Sequence, residues 1–251
     1  MKLALVGTGR MGQAVEAVAL ERGHEIVSRF DEARPLLDSR DPETLHGAEV
    51  CIDFTAPDLA LDHLHQYAFW GADAVVGTTG WYDDLPKVEE WVEEGQNGVL
   101  YAPNFSLGVA LVVRALQGML PLLDELDDYD AWVHELHHTG KVDSPSGTAL
   151  HLANTLLAGL SRKTRVEPET QHGAISPEAL HVSSTRAGHI FGEHTVGLDS
   201  AVDQITVTHR AKDRRAFASG AVRAAEWVRG KTGLFTLDDM LEDWGPVGSR
   251  Q

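Results

Sequence analysis

A strand, three glycines and a helix, in that order, constrain this chain more than any other feature. KLALVG (residues 2–7) is an apolar run of strand length. TGRMGQAVEAVALERG (residues 8–23) then carries Met11, Val15, Val18 and Ala19 at helical spacing, with Gly23 as its stop. Gly7, Gly9 and Gly12 stand at the junction as G-x-G-x-x-G, with Thr8, Arg10 and Met11 between them. Between a strand and a helix such glycines allow a tight turn and close approach of backbone to a pyrophosphate. The helix start adds free N–H groups and a partial positive charge. HEIVSRFD (residues 24–31) reads as a second strand. It ends at Asp31, about 20 residues beyond the glycines, where a carboxylate meets the adenosine ribose.

Strand and helix go on alternating. AEVCIDFT, ADAVVGTTG and GVLYAPNFS are strands, and APDLALDHLHQYAFWG and DLPKVEEWVEEG are helices. This alternation predicts an α/β, Rossmann-type dinucleotide-binding domain with a parallel sheet and helices on both faces. Loops after such strands face the ligand crevice, which brings in Phe54, then Gly77, Thr78 and Thr79, then Ala102, Pro103, Asn104 and Phe105. Phe54 and Phe105 are placed to pack on a nicotinamide ring.

After Asn104 the pattern changes. A long helix over LGVALVVRALQGMLPLLDEL precedes the strand YDAWVHELHH, the helix SGTALHLANTLLAGL and several β-rich stretches with glycine turns. Grouped strands predict an α+β second domain with a mixed or mostly antiparallel sheet. DRRAFASGAVRAAEWVRG returns to helix, with Asp213 as expected N-cap, and packs back on the first domain. The expected domains are therefore 1–104 with 212–251, and 105–211.

The densest chemistry lies in ELHHTGKVDSPSGTAL (residues 135–150). Ser146, Gly147 and Thr148 open a helix after Pro145, so N–H groups and two hydroxyls form an anion site there. Lys141 adds a full positive charge and His138 another donor. His137 remains as a group titrating near neutral pH, suited to proton transfer. With a dinucleotide domain, these residues imply hydride transfer to a small anionic substrate, with His137 or Lys141 assisting protonation. A zinc site at His134, His137 and His138 is not expected, because no cysteine lies nearby and the acidic residues lack a recognised spacing.

Composition narrows the partners. The formal charge of −17 disfavours nucleic acid and anionic membrane. No apolar run is expected to reach the ~20 residues of a membrane span. The N-terminus is too short and too glycine-rich for a secretory signal. The single cysteine, Cys51, lies in an apolar strand and permits no internal disulfide, which fits a cytoplasmic protein with an inert, buried thiol.

The motif E-x-H-H-x-x-K-x-D-x-P-S-G-T-A, met here by Glu135, His137, His138, Lys141, Asp143, Pro145, Ser146, Gly147, Thr148 and Ala149, resembles that of the dihydrodipicolinate reductase family. GRMG, IDFT, GTTG, NFS, R-x-G-x-x-x-G-x-H and FASGAVRAA extend the resemblance over nearly the whole chain. It implies reduction, by NADH or NADPH, of an unsaturated ring bearing two carboxylates, in diaminopimelate and lysine biosynthesis. It also implies His137 as proton donor or acceptor and Lys141 as second catalytic group. His138, Gly147 and Thr148 would meet the carboxylates, GTGRMG the pyrophosphate, and GTT with APNF the nicotinamide end. A homotetramer joined through the second domain's sheet is implied too. Two departures stand out. The glycine loop is one residue shorter than in many members, and Glu32 follows Asp31 where many have arginine, so NAD is expected over NADP. An aspartate or homoserine dehydrogenase-like enzyme would lack the His-His-x-x-Lys and Pro-Ser-Gly-Thr elements. A non-catalytic dinucleotide sensor would need no proton donor.

Overall fold

The computed structural model describes residues 1–245. Residues up to Leu107, with those from Arg214 onward, form one compact unit, and Gly108–Asp213 form another.

In the first unit β1 (Lys2–Val6), β2 (Glu25–Phe30), β3 (Val50–Asp53), β4 (Asp73–Val76) and β5 (Gly98–Tyr101) alternate with α1 (Arg10–Glu21), α2 (Ala60–Trp70) and α3 (Leu85–Gly95). All strands run parallel, in the order β2-β1-β3-β4-β5, with a late strand (Gly233–Thr236) beyond β5. β3 is buried at all four residues, as a parallel strand covered on both faces should be. From β1 the chain goes outward to β2, then crosses back over β1 to β3. Such a reversal leaves a crevice at the carboxyl ends of the two central strands, where the glycine loop and Phe54 lie.

The second unit opens with α4 (Leu107–Asp124), followed by β6 (Asp130–His137), α5 (Gly147–Gly159), β7 (Arg165–Glu167), β8 (Ala179–Arg186), β9 (Glu193–Asp199) and β10 (Gln204–Arg210). The sheet order is β10-β9-β6-β8-β7. Two of its pairings are parallel, β6 with β8 and β7 with β8; the other two are antiparallel. The sheet is thus mixed rather than mostly antiparallel, because α5 carries the chain back so that β7 and β8 run with β6. Val109, Val113, Leu116, Leu120 and Leu123 of α4 pack with Leu152 and Leu156 of α5 on Val133, Leu180, Val182, Val196 and Leu198. At 18 residues α4 is apolar enough to cross a membrane by length and composition alone, yet stays short of the ~20 residues expected of a span. Its buried stripe is core, while Leu111 and Leu122 are exposed.

The chain returns to the first unit as α6 (Arg215–Val228), β11 (Gly233–Thr236) and α7 (Leu237–Trp244). α6 packs on α1, and Glu226 accepts from Arg22 and His24, each at 2.8 Å. Arg214, not Asp213, is the residue that precedes the helix, so the expected N-cap is misplaced by one residue. α7 starts with a capping box between Thr236 and Asp239.

The three glycines of the first loop differ in what they permit. Gly7 has φ +91°, and a Cβ there would lie 2.2 Å from the Phe54 carbonyl oxygen; at Gly12 it would lie 2.0 Å from the Gly7 oxygen. Gly9 faces open space. Gly12→Ala is therefore expected to cost about 1–3 kcal/mol through overpacking against backbone. Gly9→Ala should stay within about 0.5 kcal/mol. Thermal melts of the two variants test this; equal melting temperatures would show that α1 moves away from the loop at little cost.

Candidate active site

At the dinucleotide side, Gly7 N–H donates to the Phe30 oxygen and Phe54 N–H to the Val6 oxygen, both at 2.9 Å, tying the loop to the strand ends. The first α1 bond runs from Gln13 N–H to the Gly9 oxygen. This leaves the N–H groups of Arg10, Met11 and Gly12 in the unbonded first turn, and no side chain caps Gly9. Open space at Gly9, no cap and an unbonded turn fit a pyrophosphate. Asp31 is exposed. Its Oδ1 accepts from Ala33 and Arg34 N–H at 3.0 and 3.1 Å, and its Oδ2 from the Thr8 hydroxyl at 3.0 Å. The Thr8 hydroxyl and then the two amides hold its carboxyl below the usual range.

The other loop residues divide. The Phe54 ring lies so close to Gly77 that a Cβ there would come within 2.0 Å of it. Phe105 is 2% exposed and meets Phe54 edge-on, centroids 5.9 Å apart. Phe105 is thus core behind Phe54 rather than an open ring face. Thr78 is buried too: its hydroxyl meets Asp53 and Thr55, and its oxygen accepts from the Trp81 indole at 2.8 Å. Thr79 and Pro103 are exposed, Asn104 is half-buried and accepts from Ser106 N–H, and Ala102 is buried.

In the second unit, side chains of β6 alternate. Ala131, Val133, Glu135 and His137 face the helices, apolar first and then polar. Glu135 pairs across the ladder with Ser184 of β8 and His194 of β9, and His137 with Arg186. One end of the core is therefore built of ionisable groups. Glu135 has no exposed surface. Its Oε1 accepts from Arg186 at 2.7 Å, Ser184 at 2.8 Å and Ser146 N–H at 3.0 Å. His137 Nδ1 lies 3.2 Å and His194 Nε2 3.6 Å from Oε2. Burial would raise the Glu135 carboxyl, but contacts from His194, Ser146, Arg186 and Ser184 hold it far below the ordinary range. Glu135, His137 and His194 offer donor atoms within 4.8 Å of one another, as a metal would need. The Arg186 guanidinium on the same carboxylate opposes a dication there, and the arrangement suits proton sharing better.

His137 departs from expectation. Burial pushes its imidazole down to about 4 against the upward pull of Glu135, and the charges of His194, Lys141 and Arg186 lower it further. It is neutral near pH 7, not titrating there.

The helix start is partly occupied by its own chain. Ser146 caps α5 by accepting from Ala149 N–H, and its hydroxyl lies 3.1 Å from His194 Nε2. It is 2% exposed, so this hydroxyl is structural rather than open to an anion. Gly147 is exposed and Thr148 half-buried. Lys141 Nζ donates to Asp143 at 2.6 Å. His138 is half-buried, and its carbonyl accepts from Lys141 N–H at 3.1 Å. Sequence reasoning assigned no role to Glu135, Ser184, Arg186 or His194. Their signal was strand alternation: polar residues that continue the inward-facing series of Val133 on β6, Val182 on β8 and Val196 on β9.

Comparison with known proteins settles the lineage. Residues 1–105 match the family model described as dihydrodipicolinate reductase, N-terminus, and residues 108–241 match dihydrodipicolinate reductase, C-terminus. This chain belongs to the dihydrodipicolinate reductase family. Among relatives of that family, 4-hydroxy-tetrahydrodipicolinate reductase of Christiangramia forsetii is 37% identical over 97% of this chain and 98% of its own. The protein of the same name from Neisseria meningitidis serogroup C is 34% identical over 96% and 97%. The fold is also that of dihydrodipicolinate reductase from Paenisporosarcina sp. TG-14, solved with dipicolinate bound: TM-score 0.77, 22% identity, 94% of this chain and 97% of that one.

For this dihydrodipicolinate reductase family member, the depressed imidazole carries a stability consequence. Between about pH 6.5, the ordinary value, and about 4, the unfolded chain binds a proton at His137 that the folded chain refuses. Stability is therefore lost as pH falls through that window, on the order of 2–3 kcal/mol from this group. His137→Gln should lose correspondingly less between pH 7 and pH 4. Parallel denaturant titrations of wild type and variant decide it; identical pH slopes would place the imidazole in contact with water.

Proposed function

We propose that this protein catalyses the NAD(P)H-dependent reduction of 4-hydroxy-tetrahydrodipicolinate, or its dehydrated form, to tetrahydrodipicolinate, in diaminopimelate and lysine biosynthesis. The carrying observation is the ionisable end of the second unit's core, where His137 rests on buried Glu135 beside a helix start and a lysine. The first unit, with Gly7 to Gly12, Asp31 and Phe54, is the dinucleotide-binding domain. The second, with His137, His138, Lys141, Gly147 and Thr148, is the substrate and tetramerisation domain.

The bound dinucleotide supplies the hydride. Negative charge left on the ring by hydride addition is then quenched by a proton. A neutral His137 is a poor donor at pH 7, but two substrate carboxylates bring negative charge beside it and favour its protonated form. Glu135 behind Nδ1 fixes the ring and stabilises the imidazolium, leaving Nε2 to face the substrate. Lys141 and the Gly147 and Thr148 amides take the carboxylates. A dicarboxylate ring explains why one loop combines a lysine with a helix N-terminus.

Asp31 supports a preference for NADH, since its carboxylate accepts from ribose hydroxyls and repels a 2′-phosphate. Exposed Arg10 and Arg34 moderate that preference. Association as a homotetramer is supported by the sheet face away from α4 and α5. There the Trp132 indole lies over Gly197, His134 bonds Ser183 at 2.7 Å and Thr195 bonds Thr208 at 2.9 Å. The lone buried cysteine fits a cytoplasmic setting.

His137→Gln is expected to lower kcat by about 10²–10⁴-fold with little change in KM. The assay couples the preceding synthase, aspartate semialdehyde and pyruvate to NADH loss; no NADH loss with wild type overturns the activity. Pyridine-2,6-dicarboxylate should compete with substrate better than a monocarboxylate analogue.

Replacing Asp31 by Ser and Glu32 by Arg should invert the preference toward NADPH, by removing repulsion and adding a guanidinium. kcat/KM for both cofactors at one ionic strength is the measurement. A wild type favouring NADPH tenfold would take Asp31 away from the ribose.

A further inference from the structure

Asp53 ends β3 with no exposed surface. Four donors converge on its carboxylate. His63 Nδ1 and the Tyr67 hydroxyl, both from α2, meet Oδ2 at 2.8 Å. The Thr55 hydroxyl meets Oδ1 at 2.7 Å and the Thr78 hydroxyl meets it at 3.3 Å. Thr78 Oγ1 in turn accepts from Thr55 N–H at 2.8 Å. One side chain therefore binds the loop after β3, the loop after β4 and helix α2 together. Phe54, between Asp53 and Thr55, is held with its ring on Gly77 of the second loop.

Stability alone does not call for this arrangement. Burying a carboxylate costs several kcal/mol before its partners offset it, and apolar replacements of buried polar clusters are often neutral or stabilising. What the cluster supplies is position: the loops after β3 and β4, which also meet through the Thr55–Thr78 bond and Phe54 on Gly77, are fixed to each other and to α2 through one carboxylate. We propose that Asp53 is a positioning residue for the dinucleotide, setting the two loops and the Phe54 ring that receive its nicotinamide end without itself touching the cofactor. This rests on the dinucleotide site proposed above.

The test uses the full chain and two ligands measured separately: NADH by fluorescence titration and pyridine-2,6-dicarboxylate by calorimetry. Asp53→Asn keeps the shape but turns one acceptor into a donor facing donors. It should weaken NADH binding by about tenfold or more, the effect of losing hydrogen bonds to a charged group, and leave the dicarboxylate Kd within about twofold. Thr78→Val should show a smaller NADH defect of the same kind, and the double variant should be no worse than Asp53→Asn, because the two act through one contact. Wild-type NADH affinity in folded Asp53→Asn overturns the proposal. So does an equal fall in both affinities, which is general loosening. If Asp53→Asn does not fold, Thr78→Val decides: unchanged NADH affinity overturns it. Wild type that fails to bind NADH at all would instead overturn the dinucleotide site.

Discussion

The contact between Glu135 and the groups around it is the constraint on which the second unit's chemistry depends. A carboxylate without exposed surface is unfavourable unless its lone pairs are filled. Here Oε1 is filled from one strand and a helix start, by Arg186 and Ser184 of β8 and the Ser146 amide at the head of α5, while the His137 and His194 rings lie 3.2 and 3.6 Å from Oε2. Meeting that demand aligns the strand ends with one another and brings the helix start to them. His137 then has little freedom, with the carboxylate on one side of its ring and Gly192 on the other, where a Cβ would lie 3.1 Å from Nε2.

The first unit solves a related problem with the same material. Asp53, like Glu135, sits where an apolar strand gives way to a polar end, and it too is filled by hydroxyls and an imidazole from several elements. In both units hydrophobic burial supplies most of the favourable free energy, while one buried carboxylate decides which side chains stand at the strand ends. Apolar packing is non-directional and tolerates small rearrangements; a buried carboxylate on which several donors converge does not.

Much of this was legible in the sequence. The first βαβ unit follows from local patterns alone: glycines at fixed offsets, a 3.6-residue period and an acid at the second strand's end. The ionisable stretch after β6 announced itself by residue type. What stayed hidden depends on pairing between distant segments. Nothing local shows that His194 and Ser184 lie beside Glu135, or that half of the second sheet's pairings are parallel. β11 is four residues long, and its place at the sheet edge follows from pairing with β5, not from its composition. The imidazole of His137 was expected near neutrality because its ordinary value lies there; burial, which moves it, is a property of the fold. Ser146 and Phe105 were expected to face a ligand by position, and both are spent on packing and capping.

The ion pair between Lys141 and Asp143 bears on how a charged ligand experiences this loop. The ammonium already has a carboxylate at 2.6 Å, so an arriving anion does not neutralise a bare charge but changes places with a resident one. Binding then reflects the difference between two similar contacts, and added salt weakens the outgoing pair as it weakens the incoming one. Affinity should accordingly vary less with ionic strength than a count of ligand charges would imply. Selectivity among anions is left to the fixed amides of the helix start, which cannot exchange partners by rotating a side chain.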